Sequence, residues 1–188
     1  MASNSGPAPH NRPRTAFISG PLEPTATYFE EHYAPRLDAA ISQGHSFILG
    51  PSRGVDTLAL GYLHQHHVPP SRVTVYLNES EAALPKWKRF ADELHARGVG
   101  VVVAGRGHTE RDAAMTAASD YDILRYQTEA ECRALYGSKY RPRVSGTQLN
   151  EIRRKGPNQR AAEARGKKWE QRPNARYRKE AYSGHPLP

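Results

Sequence analysis

One stretch of this chain has the residue types to hold a polar ligand: Gly50-Pro51-Ser52-Arg53-Gly54-Val55-Asp56-Thr57. Gly50 and Gly54 lack a Cβ, so the backbone can turn sharply around Pro51 and a ligand can come close to the main chain. A helix beginning here would present unpaired amides and a positive dipole end, a seat for phosphate or a ribose hydroxyl. Ser52 and Thr57 would add hydroxyls, and Arg53 a bidentate charge. Asp56 stands apart. A carboxylate repels phosphate, so it would accept from a sugar or base instead. The same residues also describe a plain tight turn in which Asp56 caps its own helix, and at this level both readings stand.

Such a turn works only if a strand and a helix flank it. Short apolar runs at residues 15–19, 46–49, 73–77, 99–103 and 122–126 predict five strands. Between and after them, helical spacing predicts helices over 28–43 (irregular at Pro35), 56–66, 85–97, 110–118, 129–136 and 147–154. Trp87, Phe90, Ala91 and Leu94 are the expected inward residues of the third, which Gly98 would end. This alternation predicts an α/β class: a Rossmann-like parallel sheet of about five strands, right-handed crossovers, and helices on both faces. The strands are nearly continuous apolar runs, as expected where both faces are covered. Ligands in such sheets lie beyond the carboxyl ends of the strands, where residues 50–57 fall.

The segment Phe47–Leu60, FILGPSRGVDTLAL, resembles the Gly-Gly-x-x-Gly-x-Asp-x-x-Ala segment of the SLOG superfamily of Rossmann-like nucleotide-binding proteins. Gly50, Gly54, Asp56 and Ala59 match, and Pro51 takes the place of the second glycine. FISGPL, with Ser19 and Gly20, is similar to the first strand and turn of that group and of nucleoside deoxyribosyltransferases. Arg111, Asp112 and Met115 are similar to a stretch in some standalone members. The resemblance covers residues 15–126 and implies a nucleotide or nucleoside as ligand; no cofactor is expected. Its enzyme branch ends in Pro-Gly-Gly-x-Gly-Thr-x-x-Glu. Here Gly146 and Thr147 match, Asn150 stands where the glutamate would be, and Glu151 is one residue late, about a quarter-turn around a helix. A chain of this kind that acted as an enzyme would cleave an N-glycosidic bond, with a carboxylate to steady an oxocarbenium-like C1′ atom. Glu23 and Asp56 are the candidates for that role.

Charge divides the chain. Residues 1–136 hold 13 Lys/Arg and 15 Asp/Glu, a net of −2; residues 137–188 hold 14 and 4, a net of +10; together they give the overall +8. The basic character therefore belongs to the C-terminal extension and says nothing about the body. Three segments are expected: a disordered leader at 1–14, the domain at 15–154, and a basic tail at 155–188. Arg153, Arg154 and the tail's Lys/Arg residues, with Trp169, Tyr177 and Tyr182 among them, suit RNA or single-stranded DNA through phosphate pairing and base stacking. A solvated extension or a nuclear-import signal fits the same composition. Cys132 is the single cysteine, read as a small buried residue in a helix, so no intrachain disulfide can form. His64, His66 and His67 read as surface histidines, and no metal site is expected. No run is long enough for a membrane helix and no secretory signal is evident, which points to the cytoplasm, or the nucleus if the tail is an import signal. A homo-oligomer is compatible with this domain size.

Overall fold

Five strands pair in parallel in the computed structural model, which describes residues 13–166, with side chains to residue 156. They are β1 (Thr15–Ser19), β2 (Ser46–Leu49), β3 (Val73–Leu77), β4 (Gly100–Val103) and β5 (Tyr121–Leu124), in the order β4-β3-β2-β1-β5. The helices are α1 (Ala26–His32), α2 (Ala34–Ser42), α3 (Val55–Gln65), α4 (Glu79–Ala82), α5 (Pro85–Ala96), α6 (His108–Ala117), α7 (Glu129–Tyr136) and α8 (Gly146–Gly166). The expected fold class is the observed one. The long helix foreseen over 28–43 is two helices that meet at Tyr33, and Pro35 sits in the first turn of the second, where its missing N–H costs nothing.

The strand order explains which helix covers which face. From β1 to β4 the chain steps across the sheet in one direction. Right-handed crossovers therefore put α1, α2, α3 and α5 on the same side. There Ala16, Ile18, Phe47, Leu49 and Val75 pack beneath Phe29, Tyr33, Leu37, Ala59 and Leu63. The step from β4 back to β5 runs the other way and carries α6 to the opposite face, where Phe17, Ile48, Tyr76 and Met115 form a smaller core. Successive residues of one strand, such as Phe17 and Ile18, thus serve opposite layers.

Two expectations about burial change. β4 is an edge strand, so Val102 and Val103 are exposed rather than covered on both faces. For the same reason Leu94 is the buried residue of α5, while Trp87, Phe90 and Ala91 are half-buried. Cys132 is likewise half-buried. The chain divides after Arg154. Beyond that point it is described as helix to Gly166, interrupted at Gly156 (φ +70°, ψ 175°). Most of the expected leader, and the tail beyond Gly166, lie outside the described residues. No helix among those described is long and apolar enough to cross a membrane.

Glycines test this packing. Gly61 is exposed inside α3 with open space around a would-be Cβ, so Gly61→Ala should stabilise the protein by about 0.5–1 kcal/mol. A Cβ on Gly20 would run into the Tyr33 hydroxyl and the Val55 side chain, and Gly20→Ala should cost about 1–3 kcal/mol. Denaturant unfolding of the two variants should therefore shift in opposite directions.

Candidate functional site

The carboxyl ends of β1, β2 and β3 open onto a connected set of polar side chains. Ser19, the last residue of β1, is buried, and its Oγ accepts from Asn150 Nδ2 at 3.0 Å. The Ser19 and Thr147 hydroxyls lie 3.5 Å apart. Thr147 and Asn150 are both buried on the first turns of α8. Asn150 Nδ2 also reaches Asp112 Oδ2 (3.4 Å), and its Oδ1 accepts from Arg153 (2.7 Å).

Arg111 is at the centre, 4% exposed. Its Nη1 donates to both carboxylate oxygens of Glu81 at 3.1 Å, and its Nε and Nη2 donate to Asp112 Oδ1 at 3.2 and 3.1 Å. Glu81 is aimed by a reciprocal cap on α4: the Asn78 amide donates to Glu81 Oε2 and the Glu81 amide to Asn78 Oδ1, each at 2.9 Å. His108 approaches the same carboxylate, with Nδ1 3.5 Å from Oε1.

Gly50 follows β2. A Cβ there would sit 2.8 Å from Asp56 Oδ2 and 3.2 Å from Arg111 Nη2, so a carboxylate and a guanidinium both close over its bare α-carbon. Asp56 does not cap α3, because that position belongs to Gly54; Asp56 is the second helical residue and takes the Ser52 amide on Oδ2 at 3.3 Å. Burial pushes its carboxyl up to about 7, against the pull of Arg111 and the Ser52 amide.

The turn 50–57 is therefore not a ring of free amides. Ser52 donates to Asp56, and Val55 donates to the Pro21 carbonyl at 3.1 Å. Gly54 (φ +83°) is needed for conformation and for space, since a Cβ would strike the Pro21 carbonyl and the Leu22 backbone. Thr57 Oγ1 donates to the Ser52 carbonyl (3.0 Å), locking the turn, and Pro51 is half-buried beside it. Arg53 reaches across to Glu23 at 2.7 Å, an exposed pair with side chains 72% and 43% accessible. Of the two candidate acids, Asp56 is buried beside Gly50 and Arg111, and Glu23 is exposed. Gly146 has open space around it.

Where the strand order reverses, β1 neighbours β5. On the large-core face, the Tyr33 hydroxyl lies 2.9 Å from both the Ser19 and the Arg125 carbonyl oxygens and accepts from the Arg125 amide at 3.0 Å. Burial raises the affinity of this phenol for its proton. The junction is thus pinned from below, and the polar network lies on the α6 side.

Asn78 and Glu81 went unseen as site residues in the sequence, although Asn-x-x-Glu at a strand end spells a capping box. Nothing local in the sequence shows that Asn150 meets Ser19. Two surface hollows, of about 300 and 320 Å³, lie elsewhere: between α3 and α5 at the amino ends of β3 and β4, and beside β4. Among the described residues, no group of three His, Cys, Asp or Glu could hold a metal ion.

Fold and site together define an open parallel α/β domain with a buried ionic network at the carboxyl ends of its strands. No protein-family model, curated protein or solved structure matches the chain.

The raised Asp56 carboxyl fixes a sign. Below about pH 4 it is neutral folded and unfolded, so its contribution is complete there. As pH rises the unfolded carboxyl ionises first, and stability falls until the folded group also ionises near 7. The loss is at most on the order of 4 kcal/mol. Denaturation of wild type and Asp56→Asn across this range should show the variant gaining relative stability up to neutrality and holding it above.

Proposed function

We propose that the protein binds a nucleoside or nucleotide-derived ligand at the carboxyl end of its sheet, beside Ser19, Gly50, Asp56 and Asn150. One observation carries this reading: an ionic and amide network is buried next to the strand-order reversal, where ligands bind in open α/β sheets. Buried ion pairs generally stabilise less than apolar packing of the same volume, so their presence at that end favours a chemical use. The resemblance to the SLOG superfamily points the same way.

Charge selects which part of the ligand faces inward. Asp56, Glu81 and Asp112 surround one guanidinium, Arg111, so the inner wall suits sugar hydroxyls or the donor edge of a base. A phosphate belongs at the rim, near Arg53. N-glycosidic cleavage, as an extension of this reading, falls to Asp56: near neutrality it is present both as the acid and as the carboxylate, able to protonate a departing base or steady a C1′ cation.

Calorimetry with nucleosides, their 5′-monophosphates and ADP-ribose tests this. Binding by wild type should weaken about tenfold or more in Asp56→Asn and in Asn150→Ala, as expected when a buried hydrogen-bond partner of the ligand is lost. Absence of binding across the panel, or undiminished affinity in both variants, would defeat the proposal. Free base released by wild type but not by Asp56→Asn would add hydrolysis. Gly54 is unsuited to such a test, since any side chain there disturbs the fold.

The basic tail supports a second, separable reading as a nucleic-acid contact. Arg153 and Arg154 do not belong to it: Arg153 holds Asn150, and Arg154 pairs with Asp122 at 2.8 Å. Residues 155–188 still carry nine Lys/Arg and three Asp/Glu. Binding to single-stranded RNA should fall steeply with salt and disappear on truncation after Arg154; affinity kept by the truncated chain would exclude the tail.

A further inference from the structure

The two edges of the sheet are finished differently. On β5, Arg36 donates to the carbonyls of Asp122 (2.8 Å) and Leu124 (2.9 Å), and the Tyr28 hydroxyl reaches that of Arg125 (3.2 Å). On β4, the outer side pairs with nothing among the described residues. Protein edges are ordinarily blunted by short length, charge, proline, a bulge or a cover; β4 and β5 are equally short, four residues each, so length does not distinguish them. β4 reads Gly100-Val101-Val102-Val103, without charge or proline, and Val103 is 52% exposed.

We infer that two copies of this chain pair β4 with β4, antiparallel about a twofold axis, into one continuous ten-stranded sheet. The capped β5 edge argues for this occupant. A head-to-tail β4-to-β5 contact meets Arg36, whereas twofold pairing consumes the open edge of both copies and closes the assembly.

The surface beside the edge obeys the same symmetry. Leu77, Trp87, Val101 and Val103 line a hollow under α5, so that helix lies across β3 and β4. Paired edge strands sit about 4.8 Å apart and packed helices about 8–10 Å apart, which a helix seated between its last two strands satisfies across the axis. The two α5 helices then run antiparallel on one face. Lys88 and Asp92, one turn apart on α5 and both at the hollow, exchange partners: Lys88 of each copy faces Asp92 of the other.

Sedimentation of the full chain from micromolar to submillimolar concentration tests this. Wild type should be a dimer. Val103→Lys should be a monomer with an unchanged far-ultraviolet spectrum. Lys88→Glu should weaken the dimer about fivefold, because two exposed pairs become repulsive, and Lys88→Glu/Asp92→Lys should restore it. A monomeric wild type, including one whose own tail covers the edge, overturns the inference, as does a dimer undiminished in Val103→Lys. Should Val103→Lys fail to fold, the charge reversals on the exposed face of α5 decide alone, and failure of the double reversal to restore affinity counts against the pairing.

Discussion

A guanidinium cannot shed its charge at any pH a protein meets, so where it is buried, carboxylates or carbonyl oxygens must be buried with it to answer that charge. Arg111 imposes that condition on the mouth of this sheet. Glu81 and Asp112 answer it, and each then makes demands of its own. Glu81 must be aimed, which Asn78 does through the cap on α4. The second oxygen of Asp112 needs a donor, which Asn150 brings from α8. Gly50 must remain bare, because Asp56 and Arg111 meet above it. Few residues at these strand ends could change without leaving a charge or an amide unsatisfied.

Topology makes this meeting possible. The return step from β4 to β5 carries a helix to the small-core face, and that helix bears Arg111 and Asp112. The other face holds most of the apolar mass and the Tyr33 hydroxyl that fastens β1 to β5. One side of the sheet thus supplies rigidity, while the other leaves room for polar groups at the strand ends. A buried polar network needs such a fixed floor, since side chains on a yielding backbone would lose their alignment.

The glycines of the 50–57 turn divide between two duties. Gly54 serves the chain itself, through its backbone conformation and the close approach of Pro21 and Leu22. Gly50 serves the site, by letting the Asp56 carboxyl and the Arg111 guanidinium approach the main chain. Exposure of amides to phosphate is a lesser part of the design, because the protein already uses two of them and sets a carboxylate beside them. On the proposed reading, the inner wall accordingly takes hydroxyls and base edges rather than phosphate.

Much of this was legible in the residues alone. The bounds of β1, β2, β3 and α7 follow from local apolar patterning and turn residues, since a strand buried on both faces must be apolar throughout. Placement of Gly50 and Asp56 at a strand end follows from the same pattern. Exposure of Val102 and Val103 was not legible, because an edge strand and a central strand can share one composition and only the strand order separates them. Nor was the partnership of Ser19 with Asn150, 131 positions apart, or the convergence of Glu81 on Arg111. Local sequence fixes backbone periodicity through near-neighbour sterics and hydrophobic spacing; which charges face one another depends on crossover direction and strand order, set only when the whole sheet is assembled.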